Sequence, residues 1–395
     1  MGVVRLVLGM VVASLGIIAV VAPYTSLMWQ TSVLVGGWGH WLGAVSLLLL
    51  PGFRRSWLHG TAAMLTLTGV VLLLSPVTRA LMAAPTIAAA LETTFGAPPR
   101  LSTTDEAARP SPLVVSDLVF GVSTGEVLLD EHVYSLDTAT GENLTLDLYR
   151  PRFGSEPRPT VVVVHGGGWT DGDQRQLPKL SQYLAARGYV VASVGYRLAP
   201  AWSFPAAQED VAAAIRYLKN LETTHGVDPT RFALLGRSTG GQIALLAGYT
   251  LADPAIRAVV SLYAPTALRW GYHNPAKPRI VDSSGVLELY LGGSPLTHGE
   301  TYDAAEPSSF VDEFTPPTLF IQGLRDEHVS PFHAEFVSAR LLEEGVTHLM
   351  VRMPWATHGC DYVFSGPCGQ ITTYAVERFL GAVLHGAPPE TPQGP

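Results

Sequence analysis

The sequence predicts an α/β fold, a mostly parallel eight-stranded sheet with helices on both faces and a short lid, preceded by about three membrane-spanning helices. Three observations carry this reading. From about residue 116 onward, short β-branched runs alternate with helical stretches, the pattern of a parallel sheet covered on both sides. Within it, Thr160–Val164 (TVVVV) is apolar at four successive positions, as a strand buried on both faces must be. Before it, residues 1–91 contain no Asp or Glu and only four Arg.

That first segment holds three runs without Asp, Glu, Lys or Arg: Leu6–Ala22, Val33–Leu50 and Thr61–Val77. Each is 17 or 18 residues long, and a bilayer core needs about 17–25 helical residues. A cleaved signal peptide accounts for one such run but not for three. Arg5 precedes the first run, and Arg54 and Arg55 separate the second from the third. The Tyr24–Thr31 connection has no Lys or Arg but carries Trp29, with Trp38 and Trp41 nearby. The positive-inside rule then sets the amino terminus and the Arg54–Arg55 loop in the cytoplasm and the rest of the chain outside. Arg79 is the one charge that opposes this orientation. The expected location is therefore the cell membrane, multi-pass, with an extracytoplasmic folded domain.

An apolar stretch continues to Leu91 and reads as a helix lying at the interface. Thr93–Leu113, rich in Thr, Ser, Pro and Ala, reads as a linker. The strands expected next are a hairpin, Glu131–Leu136 with Leu144–Tyr149, then Thr160–Val164, Tyr189–Val194, Phe232–Leu235, Ala258–Leu262, Thr318–Gln322 and His348–Met353. Helices are expected near Leu177–Arg187, Pro205–Leu221, Gln242–Leu251, Phe332–Glu344 and Thr372–Leu384. The domain boundaries that follow are 1–92 for the anchor, 93–115 for the linker, 116–388 for the α/β domain and 389–395 for a flexible tail. No internal repeat of useful length is present.

Composition excludes several functions. The net charge is −8, and no basic stripe exists to hold a phosphate backbone, so nucleic acid is not an expected partner. Two cysteines are too few for a thiolate zinc site, and neither a metal nor an organic cofactor is expected.

In parallel sheets, function sits at the carboxyl ends of the strands. Two motifs lie there. His165-Gly166-Gly167-Gly168-Trp169 follows TVVVV directly, and Gly236-Arg237-Ser238-Thr239-Gly240-Gly241 follows Phe232–Leu235 at the mouth of a helix. The second has the form of a sharp strand-to-helix turn that lifts a serine hydroxyl above the sheet, with glycine two residues to either side. The first offers backbone N–H groups to a developing oxyanion. Gly166 and Gly167, with Thr239, are the expected donors. A phosphate-binding reading fails, because no G-K-[ST] follows. His165 is expected to hold the loop rather than act as a base.

A serine nucleophile needs a base and an orienting carboxylate, each after a later strand and in the order Ser, acid, His. Asp326 stands after Thr318–Gln322 and His358 after His348–Met353. Glu327 and Asp361 are rival carboxylates, and Asp326 is preferred by position. Candidate apolar walls for a substrate pocket are Trp169 and Trp355, with Trp270 and Tyr272.

On these residues the stretch from about Ser116 to His385 resembles the α/β-hydrolase esterases and lipases, in particular the hormone-sensitive-lipase-like and feruloyl-esterase-like branches. HGGGW, Tyr196–Pro200 (YRLAP), Phe204–Ala207 followed by Asp210, GRSTGG, GLRDEHVSP and His358-Gly359 all occur in order. Thr239 replaces the alanine more usual after the nucleophile in that family. The resemblance implies a serine carboxylesterase with Pro265–Pro316 as a lid and leaves its small-molecule or lipid ester open; the short lid and bulky nearby side chains lead to an expected preference for short to medium acyl groups. An acyltransferase using the same triad, or a non-catalytic ectodomain of this fold, are the alternatives. Membrane lipids are the other expected partner.

Cys360 and Cys368 lie in one loop just after His358, with the turn-forming pair Gly366-Pro367 between them. In an oxidising compartment they are expected to bridge.

Overall fold

The sheet is built from runs that bury both faces. In the computed structural model, which describes residues 2–50, 56–97, 108–136, 141–152, 154 and 156–385, its eight strands are β1 (Val127–Leu136), β2 (Asn143–Pro151), β3 (Arg158–Val164), β4 (Val190–Val194), β5 (Val227–Arg237), β6 (Ile256–Leu262), β7 (Thr318–Gly323) and β8 (His348–Met353). Their spatial order is β1-β2-β4-β3-β5-β6-β7-β8. The β1–β2 and β2–β4 pairs are antiparallel, and the remaining pairs are parallel.

Side chains on β3 alternate between two core layers, as the two-residue strand period requires. Val161 and Val163 join the layer under α5 (Pro178–Ala186) and the last helix, α13 (Pro367–His385). Val162 and Val164 join the layer under α6 (Ala206–Lys219) and α8 (Thr239–Thr250), the short α7 (Glu222–His225) lying between those two in sequence. Between β6 and β7 the chain forms a lid of three short helices, α9 (Leu268–His273), α10 (Ser283–Leu291) and α11 (Gly299–Ala305). Helix α12 (Phe332–Glu343) joins β7 to β8. The strand order reverses around β3 and β5, which opens a crevice beyond their carboxyl ends.

The amino-terminal segment departs from the expected division in two ways. It forms α1 (Gly2–Val20), α2 (Ser26–Ser46) and α3 (Trp57–Phe95), followed by the short α4 (Val115–Phe120). All of α1–α3 are long and apolar enough to cross a membrane. First, α2 begins at Ser26, so Trp29 is helical and not in a connection. The Thr25 hydroxyl caps the helix by accepting from Met28 N–H at 3.2 Å. Second, the third run and the expected interface helix are one 39-residue helix that continues through Pro76 and Pro85. Its later half joins the hydrolase-like core, where Ala80, Ile87 and Leu91 are buried and Phe95 meets Phe379 at 4.6 Å. Arg54 and Arg55, on which the orientation rests, lie outside the described residues, as do linker positions 98–107 and the tail 389–395.

Candidate active site

The nucleophile position is made by steric necessity. Ser238 follows β5, caps α8 and holds φ 51°, ψ −125°, a backbone region that only strong surrounding constraint maintains. Its N–H donates to the Leu262 carbonyl on β6 at 2.9 Å. A Cβ at Gly236 would stand 2.1 Å from the Gly240 carbonyl oxygen, and one at Gly240 would stand 2.2 Å from that of His165. Glycine at both places is therefore what lets β5, α8 and the loop after β3 close on one another.

The structure brings Ser238, His358 and Asp326 together. His358 Nε2 lies 3.1 Å from Ser238 Oγ, and His358 Nδ1 lies 2.8 Å from Asp326 Oδ2. A carboxylate can only accept, so Nδ1 carries the proton and Nε2 is the acceptor that faces the serine. Asp326 is itself oriented, because its Oδ1 accepts from the N–H groups of His328 and Val329 at 2.9 Å each. The rival carboxylates have other partners. Glu327 pairs with Lys277 at 2.9 Å, and Asp361 pairs with Arg237 at 2.8 Å.

The loop after β3 corrects one oxyanion assignment. The Gly166 N–H donates to Gln176 Oε1 at 3.1 Å and is thereby taken. Gly167 and Gly168 line the cleft instead, with Thr239. Among the described residues, the N–H groups of these three have no hydrogen-bond partner. Gly167 turns the loop at φ 131°, and a Cβ there would fall 1.9 Å from the Asp171 carbonyl oxygen. His165 is buried and kept neutral by that burial, its ring stacked on Tyr196 at 4.2 Å. It supports the loop and does not reach Ser238.

The cleft has a volume of about 590 Å³. Of the expected aromatic walls, Trp169 lines it, fixed by its indole N–H to Gln242 at 3.0 Å and stacked on Tyr290 at 4.4 Å. Trp355, Trp270 and Tyr272 do not line it. Trp355 turns into the core layer under α13, and Trp270 stacks on Phe332 at 4.2 Å.

Among the lining residues that sequence left without a site role are Trp29 from α2 and His328 from the Asp326 loop. His328 stacks face to face on His358 at 4.8 Å, and burial, reinforced by the charge His358 would carry, drives its pKa down to about 3. The aromatic content of residues 24–41 was the only signal for Trp29, and it was equally a signal for a membrane interface.

The sulfurs of Cys360 and Cys368 are bonded, with Cα atoms 5.7 Å apart. At the antiparallel edge, Asp130, His132 and His225 present three ligand-type atoms within 4.8 Å of one another. Asp130 is ion-paired to Arg150 and His132 Nδ1 is bonded to Tyr217, while the buried His132 Nε2 has no hydrogen-bond partner among the described residues.

Comparison with known proteins bears on the fold and on the class of protein this chain is similar to. The BD-FAE family matches residues 146–341. Esterase LipC of Mycobacterium tuberculosis is 29% identical over 254 residues, which cover 60% of this chain and 62% of that protein. Bovine arylacetamide deacetylase is 37% identical over 136 residues, 32% of this chain and 34% of that protein. The chain thus spans less than two thirds of the length of these curated relatives. Among solved structures, a hyperthermophilic esterase from the archaeon Pyrobaculum calidifontis superposes with a TM-score of 0.55 at 26% identity, covering 65% of this chain and 86% of that one. A bacterial heroin esterase, at 24% identity and a TM-score of 0.56, shares the fold over 68% of this chain and 88% of its own. The chain has the α/β-hydrolase fold, and its likenesses in sequence and structure are to carboxylic ester hydrolases.

Proposed function

We propose that the protein is a membrane-anchored serine carboxylesterase that hydrolyses carboxylic esters of short to medium acyl chain through an acyl-enzyme. The observation that carries this is the hydrogen-bonded line Ser238–His358–Asp326, set beside the N–H groups of Gly167, Gly168 and Thr239, which are unpaired among the described residues. His358 Nε2 takes the Ser238 proton as Oγ attacks the ester carbonyl, and Asp326 stabilises the imidazolium that forms. The oxygen turns toward the N–H groups of Gly167, Gly168 and Thr239, and each such donor contributes about 2.7–4 kcal/mol to the barrier reduction. His358 then protonates the departing alcohol, and water releases the acid by the reverse sequence. No metal or organic cofactor has a part in these steps.

The cleft volume of about 590 Å³ supports a small or medium ester rather than a long-chain one. The three apolar helices support anchorage in the cell membrane, and the arginine distribution supports an extracytoplasmic catalytic domain.

The experiment is a panel of aryl esters from acetyl to palmitoyl, run on the full chain and on Ser238→Ala, with fluorophosphonate labelling of both. The expected result is hydrolysis and labelling by the native chain only, fastest for acyl groups of two to about eight carbons. Undiminished hydrolysis by Ser238→Ala removes the serine assignment. A rate that climbs steadily to palmitoyl removes the chain-length reading.

A further inference from the structure

The carbonyl group of His358 faces out of the hydrolase-like domain, toward the first turn of α2. There the Trp29 indole N–H donates to the His358 carbonyl oxygen at 2.9 Å, across 329 residues of sequence. The same indole lies 4.4 Å from the His328 ring, tilted 55° to it, and His328 is in turn stacked on the His358 imidazole. Trp29 thus holds the general base twice, once by its main chain and once through an intervening ring.

The contact is part of a wider junction. Ser26 N–H and hydroxyl donate to the Arg279 carbonyl at 3.1 and 3.2 Å, and the hydroxyl also reaches that of Ile280 at 2.9 Å, so the same helical turn grips the lid. Lys277 sits 4.1 Å from the Tyr24 ring while paired to Glu327, the neighbour of Asp326. At the end of α1, the Ala19 carbonyl accepts from the Arg325 guanidinium at 2.8 Å. The α1–α2 turn therefore touches the Asp326 loop, the His358 loop and the lid.

We propose that Trp29 is a positioning residue for His358, so that the amino-terminal helices complete the active site as well as anchor it. This rests on the esterase reading above. Residue Gly359, which follows His358 directly, has φ 66°, so the histidine sits just before a reversal of the chain whose outer carbonyl has Trp29 as its partner. Without the indole, the 358–359 peptide loses that restraint and the His328 ring loses its contact at 4.4 Å. The imidazole then spends less time at 3.1 Å from Ser238 Oγ, a loss felt in turnover rather than in binding. A misplacement of about 1 Å costs on the order of a hundredfold in rate.

A control of the same chemistry is built into the same helix. The Trp41 indole N–H donates to the Leu118 carbonyl at 3.2 Å, again joining α2 to the hydrolase-like part but at α4 rather than at the cleft. The experiment compares Trp29→Phe, Trp29→Ala and Trp41→Phe in the full chain purified in detergent. It measures kcat and KM for an acetyl aryl ester, and backbone hydrogen exchange over residues 354–366. The expected result is a kcat about tenfold lower in Trp29→Phe and about a hundredfold lower in Trp29→Ala, with KM within about twofold. Exchange over 354–366 rises in both, while Trp41→Phe leaves kcat and that exchange unchanged. Native kcat or unaltered exchange in Trp29→Phe overturns the proposal, and so does an equal loss in Trp41→Phe, which would reduce Trp29 to a general docking contact. A native chain that neither hydrolyses esters nor takes up fluorophosphonate overturns the esterase reading instead, and the exchange measurement still decides whether Trp29 holds the histidine loop.

Discussion

Arg237 and Asp361 form an ion pair at 2.8 Å with both side chains about 5% exposed, joining the residue before Ser238 to the third residue after His358. The Tyr263 hydroxyl donates to the other Asp361 oxygen at 2.6 Å, and its ring lies edge-on to His358 at 4.7 Å. Burial and the Asp361 charge hold that phenol well above its ordinary pKa, so it stays a donor. The pair ties the nucleophile turn to the histidine loop. Removing one member leaves a buried charge without its partner, at a cost of about 3–5 kcal/mol. Asp361→Asn is therefore expected to lower the melting temperature sharply, and Arg237→Met added to it to restore part of the loss. Thermal denaturation of the three proteins in one detergent is the measurement.

Asp326→Asn tests the tautomer. Asparagine can present an N–H toward Nδ1, which puts the imidazole proton on Nε2 and leaves nothing to accept the Ser238 proton. A fall in kcat of about ten-thousand-fold is expected with the fold intact. Steady-state kinetics beside a melting curve separates this from unfolding.

Gly167→Ala tests the corrected oxyanion loop. The added methyl meets the Asp171 carbonyl at 1.9 Å and requires φ 131° of an alanine, so the loop must shift and carry its N–H groups away. Loss of one donor lowers kcat by about 100- to 1000-fold. KM for a small ester is expected to change little, and a kcat within threefold of native would return the donor role to other groups.

Acid sensitivity follows from His333. It is buried, and its Nδ1 accepts from the N–H groups of Thr266 and Ala267 at 3.2 and 3.0 Å, which only the neutral ring can do. Burial holds its pKa down to about 4, against about 6.5 in the unfolded chain. Between those values the unfolded chain binds the extra proton, so stability falls as pH drops from about 6.5 to about 4 and this contribution then levels off. His333→Asn, which keeps an acceptor, is expected to flatten that slope in a melting-temperature series against pH.

The cysteine pair reports on compartment. Closing so short a loop contributes roughly 2.5 kcal/mol on a chain-entropy basis. Alkylation of the membrane-bound protein without reductant, followed by mass analysis of residues 359–369, is expected to find both cysteines unalkylated and joined. Two freely modified thiols in fresh protein remove the bridge and weaken the extracytoplasmic placement with it.

The elements that sequence makes legible are those written in local period. TVVVV reads as a buried strand, and Ser238, Asp326 and His358 stand within five residues of the carboxyl ends of β5, β7 and β8, so their common end of the sheet is a consequence of parallel topology. What fails is what depends on direction. Gly166 and Gly167 are chemically alike, and only the turn at Gly167 decides whose N–H meets Gln176 and whose faces the cleft. Trp355 directly precedes the His358 loop, yet its side chain turns into the core layer. The third run stops at Val77 because Arg79 follows, yet α3 continues past it and through Pro76 and Pro85, since a proline removes one helical hydrogen bond without forbidding the next turn when neighbours support the backbone. Trp29 was out of reach, because a contact across 329 residues leaves no periodic trace.

The continuity of α3 bears on where such an enzyme can work. At 1.5 Å per residue its 39 residues make a rod about 58 Å long, and its far half is built into the core beneath α13. A flexible leash of some twenty residues would let the cleft wander about 25 Å from its attachment. A mast does not wander. On the anchorage proposed above, Ser238 is held at one height and one bearing, so the esters it would meet are those that diffuse to it, along or beside the lipid, and none that wait a tether's length away.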